Sequence, residues 1–278
     1  MDAPEQKSAT PQDRALKSWD TRARSYLALT LRYPIFSLLA DRLISQLPGN
    51  FSGSALDLGA GAGLISERLL ERFPTARVHL LEPAPGMMAL AQDRLSGLVS
   101  GFYRDKAEEM GEVGLRWDAV LCNAAFHLME ERSVLAAVSG ILRGEGVFCF
   151  NLWGHSFEAT ADLDPQDAQE EILAMAAAGL DLPLPLQCRH SRPRVRRLAA
   201  LRRDASQAGM ILEGPWIDKD EVPLAFFLDF SAMSPEWPAG LEPLQRSRLL
   251  ERASSMAEGS ISTIHSVRFL ARKLSAVQ

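Results

Sequence analysis

The sequence predicts a doubly wound α/β fold, with a mostly parallel seven-stranded sheet covered by helices on both faces and helical insertions late in the chain. Three observations carry that expectation. Short apolar runs alternate with amphipathic stretches of about ten residues as far as Trp153. Three glycines at alternate positions, Gly59, Gly61 and Gly63, join the first apolar run to the first helical one. Beyond Trp153 the rhythm breaks, and longer helical stretches come before each of the last two strands.

The elements follow in order. "YPIFSLLADRLISQLP" puts Phe36, Leu39, Ala40, Leu43 and Leu47 on one helical face, and Pro48-Gly49 stops it. The strand "ALDL" runs into the glycine turn, after which Ile65, Leu69 and Phe73 recur every four residues and mark a helix. "RVHLLE" reads as a strand, "GMMALAQDRL" as a helix, "SGFYRD" as a short strand and "WDAVLCN" as another. "ERSVLAAVSGILR" is the next helix, and Gly144 and Gly146 mark the turn into the strand "GVFCFNLW". In "DPQDAQEEILAMAAAGL" a helix is capped by Asp164, with Pro165 in the first turn and Gly179 near its end. A further helix holds Val195, Leu198, Leu201, Ala205 and Ala208 inward, "ILEGPWID" follows as a strand, and "STIHSVRFLAR" is the last strand. Between those two strands Phe226, Phe227, Phe230 and Trp237, together with Trp216, are expected to crowd one region.

Composition narrows the class. With 47% hydrophobic and 23% charged residues the chain suits an ordinary globular protein, and a formal charge of -5 gives no broad pull towards nucleic acid or anionic membrane. No apolar stretch reaches the roughly 18 residues that a membrane span requires. Cys122 and Cys149 lie inside apolar runs and read as inert core thiols, so a cytoplasmic protein is expected. Residues 1–16 are read as a disordered polar leader, 17–153 as N-terminal helices and a ligand-binding core, and 154–278 as helical lid insertions plus strands completing the sheet.

The glycine turn selects its ligand through what flanks it. A dinucleotide fingerprint requires a small residue where Leu64 stands, and Asp57 inside the preceding strand would repel a pyrophosphate. A carboxylate there suits a ligand that brings a cation. S-adenosylmethionine carries an ammonium and a sulfonium and no phosphate. Glu82 ends the next strand, 19 residues after Gly63, where a carboxylate can accept from both hydroxyls of a ribose.

"ALDLGAGAGLISERLLERFPTARVHLLEPAPGMMALA" resembles motifs I and II of class I S-adenosylmethionine-dependent methyltransferases, in particular the small-molecule branch. "DKAEEM", "DAVLCNAAFHL" and "GILRGEGVFCFNLW" extend the resemblance over roughly residues 18–153. It implies a Rossmann-like sheet and S-adenosylmethionine as cofactor, without a metal. Asp57, Gly59 and Gly61 would line the methionine and ribose portion, Glu82 would hold the ribose, and Pro83 and Met87 would flank the adenine. Lys106 replaces the acid that the family often places before Ala-Glu, so Ala107 and Glu108 are left to meet the adenine amino group, with Asp105 one residue away. The resemblance also puts Tyr26, and with it Arg22, over the cofactor's carboxyl group, and Asn123 at the end of the fourth strand beside the sulfonium.

For the acceptor, His127 offers a pKa suited to a general base, while pocket-shaping and plain packing remain open for it. Asn151, Trp153 and His155 lie at the end of the fifth strand, which resembles the family's acceptor rim, and Phe226 and Phe230 are read as an aromatic wall or as local core. "NAAF" lacks the Asn-Pro-Pro-aromatic run of enzymes that methylate exocyclic amines, which argues against DNA amino-methylation. Seven arginines between Arg189 and Arg203 read as a solvated face or as a clamp for an acidic acceptor. The expected function is methyl transfer to a small molecule, oxygen- or carbon-directed, in quinone, lipid or secondary-metabolite biosynthesis. The alternatives are carboxyl methylation of a small or carrier-bound acid, since the N-terminal half also resembles the biotin-pathway malonyl-thioester methyltransferases, and a non-catalytic protein that only binds the nucleoside. Carboxyl methylation would make Arg192 or Arg194 matter and His127 dispensable.

Overall fold

Near-continuous runs of Val, Leu and Phe suit a strand buried on both faces, and the structure, a computed structural model describing residues 11–163, 166–183, 194–234 and 237–274, assembles such strands into one sheet. Two helices come first, α1 (Pro11–Arg32) and α2 (Ile35–Ile44). The sheet then builds through β1 (Ser54–Leu58), α3 (Leu64–Arg72), β2 (Arg77–Leu81), α4 (Pro85–Leu95) and β3 (Gly101–Tyr103). It continues with β4 (Trp117–Cys122), α5 (Glu131–Ile141), β5 (Leu142–Trp153), α6 (Gln166–Ala178), α7 (Leu198–Gln207) and β6 (Met210–Pro223). The helices α8 (Ala225–Ala232) and α9 (Pro243–Met256) precede β7 (Ile261–Lys273). The seven strands run in the order β3-β2-β1-β4-β5-β7-β6. β1 to β5 are mutually parallel, and β7 is antiparallel to both β5 and β6. Strand order reverses between β1 and β4, which opens a crevice at their carboxyl ends where ligands of such sheets bind.

The two-residue period of a strand sorts its side chains onto the two faces. Leu56, Leu58, Val120, Cys122, Phe148 and Phe150 pack beneath α5 and α7, with Phe150 stacked on Phe269 of β7 at 5.1 Å between centroids. Ala55, Ala119, Leu121, Val147 and Cys149 face α2 and α3, meeting Leu43, Ile65 and Leu69. Each large side chain buried this completely contributes about 1.5–3 kcal/mol. A separate apolar cluster joins α6, α8 and α9 through Leu173, Leu228, Trp237, Leu249 and Ala253. It is tied to α1 where Arg22 donates to Ser234, and Tyr33 just beyond α1 donates to Asp229 at 2.6 Å.

The structure departs from the sequence reading in several places. Residues 11–16, expected as leader, already belong to α1, because proline is accommodated at the first helical position, where its missing N–H has no partner to lose. β6 runs five residues past Asp218 to Pro223. Lys219, Asp220 and Glu221 resemble a polar loop, but β7 pairs with them along the whole length, and Arg42 of α2 grips Asp220 at 2.6 and 2.7 Å. Val195 lies before α7 and is exposed, whereas Leu201 and Ala205 are buried as expected. Trp216 stands on the edge strand beside Arg268, away from the phenylalanines, and Trp237 packs in the cluster of α6, α8 and α9. The expected cap at Asp164 and Pro165, and Arg189 and Arg192, lie outside the described residues.

Candidate active site

The chain leaves β1 through Gly59, Gly61 and Gly63, all at positive φ. At Gly63 a side chain would also strike Leu95 of α4, 2.5 Å from an added Cβ, so bare backbone lets the turn close against α4. At Gly61 the nearest atoms to such a Cβ are Tyr26 at 3.9 Å and Met87 at 4.0 Å, which leaves open space in front of the main chain. Glu82 holds this turn: Oε2 accepts from Gly61 N at 2.9 Å and Oε1 from Ala84 N at 2.8 Å. Burial raises the Glu82 pKa, and those two backbone donors oppose the rise. A carboxylate oxygen has further lone pairs, so Glu82 can still accept from a ligand.

Asp57 is the other buried acid. Its Oδ2 accepts from the backbone N–H of Ser66 at 3.1 Å and from its hydroxyl at 2.9 Å. No donor among the described residues reaches Oδ1. Burial is the main reason its pKa rises to about 7, with Ser66 opposing and Glu82 adding to the rise. An acid held in this way gains most from a cation.

A single cleft of about 1170 Å³, counting its open mouth, gathers these groups. All ten residues expected to bind the nucleoside line it: Asp57, Gly59 and Gly61 at the turn, Glu82, Pro83 and Met87 after β2, and Ala107 and Glu108 after β3, with Asn123 after β4 and Tyr26 of α1. Tyr26 is fixed edge-on between Trp19 at 5.3 Å and Phe36 at 5.6 Å, so α1 forms one wall. Asp20, next to Trp19 in α1, accepts from Gly86 N at 2.5 Å and pins α1 to the first turn of α4. Lys106 lines the cleft, while Asp105 is exposed and does not. Arg22 does not line it either: its guanidinium lies over Trp19 and reaches Ser234.

The residues expected on the acceptor side do not line the cleft. The backbone oxygen of His127 accepts from Arg196 at 2.6 Å, and its buried Nδ1 has no partner among the described residues. Burial above all, then His155 and Arg196, lower the His127 pKa to about 3, so at neutral pH the ring is uncharged and a poor proton acceptor. Arg196 is buried and paired with Glu131 at 2.5 Å, while Arg194 is exposed. Trp153 and Phe226 are buried in an apolar cluster around Phe36, and Phe230 packs at its margin; they back Tyr26 from behind. Their hydrophobicity reads equally as pocket or core in a sequence, and packing decides for core. His155 sits in the helical turn that follows β5.

Sequence reasoning passed over Leu16, Trp19 and Thr30 of α1, and Leu128 and Met129 after β4, which also line the cleft. It also gave Asn151 no role beyond the rim of β5. No group of three or more His, Cys, Asp or Glu among the described residues could hold a metal ion.

Sheet order, glycine turn and the two acids resemble those of class I methyltransferase domains. Residues 55–146 match the family model described as a methyltransferase domain. Among curated proteins, a malonyl-[acyl-carrier protein] O-methyltransferase of Acetivibrio thermocellus is 33% identical over 101 residues, 36% of this chain and 35% of that protein. One from Bacillus cytotoxicus is 31% identical over 122 residues, 42% of each chain, so the match spans less than half the length of these relatives. Among solved structures, the YcgJ protein of Bacillus subtilis superposes with a TM-score of 0.55 at 14% identity, covering 86% of this chain and 99% of that one, a likeness of fold. No helix among the described residues is long and apolar enough to cross a membrane.

Proposed function

We propose that this chain transfers a methyl group from S-adenosylmethionine to a small-molecule acceptor, at oxygen or carbon, in the biosynthesis of a quinone, lipid or secondary metabolite. One observation carries the reading: Asp57, 2% exposed, keeps one oxygen that no donor among the described residues reaches, in the same cleft as the open backbone of Gly61 and the acceptor Glu82. When bound there, S-adenosylmethionine supplies an electrophilic methyl group on sulfur. Asp57 offsets its positive charge, Glu82 accepts from the ribose, and Pro83, Met87 and Ala107 form the apolar sides of the base pocket. Tyr26 and Trp19 close the wall against water. The chain's main contribution is alignment, which in such reactions is worth about 7–11 kcal/mol of the barrier.

A second reading, carboxyl methylation of a small or carrier-bound acid, is favoured by the names of the curated relatives and by the low basicity of His127. A carboxylate arrives ionised and needs no base. Recognition of its acidic carrier would then fall to exposed cations such as Arg194.

Calorimetric titration tests the common core of both readings. The wild type should bind S-adenosylmethionine and Asp57→Ala should lose about 30-fold or more, the scale on which a buried charge loses its partner. Equal binding by the two proteins overturns the assignment, and binding without formation of S-adenosylhomocysteine on supply of cell-extract acceptors turns the reading into that of a non-catalytic partner.

A further inference from the structure

Asn151, at the outer end of β5, is 1% exposed and spends both ends of its side chain on the loop that follows β4. Its Oδ1 accepts from Ala124 N at 2.6 Å, and its Nδ2 donates to Asn123 Oδ1 at 2.6 Å. This chain of contacts has only one polarity. A backbone N–H can only donate, so the atom of Asn151 that meets Ala124 is oxygen; the other end of Asn151 is then the amide nitrogen, and Asn123 must present oxygen to it. The Asn123 Nδ2 is thereby left pointing away from Asn151. No acceptor among the described residues takes it, it is not among the buried unpartnered atoms, and Asn123 lines the cleft. The same contact holds Ala124 at φ 52, a left-handed conformation that costs an alanine about 1 kcal/mol or more and persists only where neighbours impose it.

We propose that Asn151 is a positioning residue that fixes Asn123 with its amide N–H groups facing the cleft, and that those donors receive the carboxylate of the cofactor's amino-acid end. The inference rests on the nucleoside reading above. Sheet order places the sites along one edge. Glu82 follows β2, Asp57 sits on β1 and Asn123 follows β4, so successive sites are spaced by neighbouring strands, about 5 Å apart. A ribose at Glu82 and an ammonium at Asp57 direct the remaining carboxylate towards β4, away from the two acids and onto a group that can only donate.

Two isosteric substitutions on opposite sides of one hydrogen bond test this. In Asn151→Asp the carboxylate still accepts from Ala124 N, but it can no longer donate, so Asn123 turns its own N–H groups inward and its oxygen to the cleft. In Asn123→Asp the bond from Asn151 Nδ2 is kept and the second carboxylate oxygen faces the cleft. Both invert the same donor into an acceptor, yet only the first alters a buried residue, and the second remains informative if the first fails to fold. The probes are S-adenosylhomocysteine, which has the amino-acid end, and 5′-methylthioadenosine, which lacks it. The expected result is that the wild type binds both, while each variant loses about tenfold or more for S-adenosylhomocysteine and stays within about twofold for methylthioadenosine. Thermal stability of Asn123→Asp should match the wild type, which a purely structural role for the pair would not combine with lost affinity. Unchanged S-adenosylhomocysteine binding in Asn123→Asp, or an equal loss for both probes, overturns the proposal. A wild type that binds neither probe refutes the nucleoside reading itself and the proposal with it.

Discussion

The half of the molecule before Trp153 and the half after it hold their key side chains in different ways. At the two acids of the cleft, partners come from the same or the adjoining strand-turn unit: Asp57 is held by Ser66, 9 residues on, and Glu82 by Ala84, 2 residues on, and by Gly61, 21 residues back. After Trp153 the contacts span long separations: Gln169 of α6 donates to Ser231 of α8, and Asp229 of α8 accepts from Arg32 and Tyr33 near the end of α1. Turn chemistry closes the first kind of contact as the local chain folds. The second kind exists only once three or four distant segments have packed. The cleft should therefore tolerate loosening of the later helices, provided that it is independent of them.

The largest expected effect probes that independence. Leu249→Ala empties a fully buried position between α6, α8 and α9 and should cost about 2–5 kcal/mol. Hydrogen exchange should show the loss in those helices while S-adenosylhomocysteine affinity stays within about twofold; a parallel fall in affinity would mean that the two halves are one cooperative unit.

Next comes the pH response of the cleft. Burial raises the folded pKa of Asp57 to about 7, above its ordinary value near 4, so its contribution to stability is full below that ordinary value and is lost as pH rises through 7. Binding of a cation has the opposite sign, because it requires the carboxylate. Affinity for S-adenosylmethionine should fall by up to about tenfold per unit as pH drops below 7, and Asp57→Asn should flatten that slope. A slope that survives in Asp57→Asn would assign the titration to another group.

The smallest effect lies at the seam. Arg32 is 66% exposed where it meets Asp229, so Arg32→Ala should change stability by less than about 1 kcal/mol in denaturant titration. A larger loss would make this contact, and not the apolar packing around Phe226, the principal tie of α8 to α1.

Legibility in the sequence followed the same division. The glycine turn, Asp57 and Glu82 could be read because backbone geometry and short-range charge leave few alternatives, and alternating apolar runs gave the seven strands. Trp153 is expected at the acceptor rim, and Phe226 and Phe230 as a wall or as local core; all three join a packed cluster, a choice that hydrophobicity alone does not make. His127 looked suited to proton transfer until its burial beside Arg196 was known; a pKa depends on neighbours that spacing alone does not reveal. The rim position of Asn151 is legible in the sequence but its task is not, because that task is defined by partners 27 and 28 residues away on the neighbouring strand's loop.

β7 occupies an inner place in the sheet although it is the last strand to be made. As the chain leaves the ribosome, β5 has no outer neighbour and β6 has nothing to lie against until Ile261–Lys273 appears. During that interval Phe150 lacks its stacking partner Phe269 and two strands present unpaired backbone, a period in which a nascent polypeptide is open to wrong associations. β7 thus acts as a keystone, and the sheet is finished only once that segment has been made.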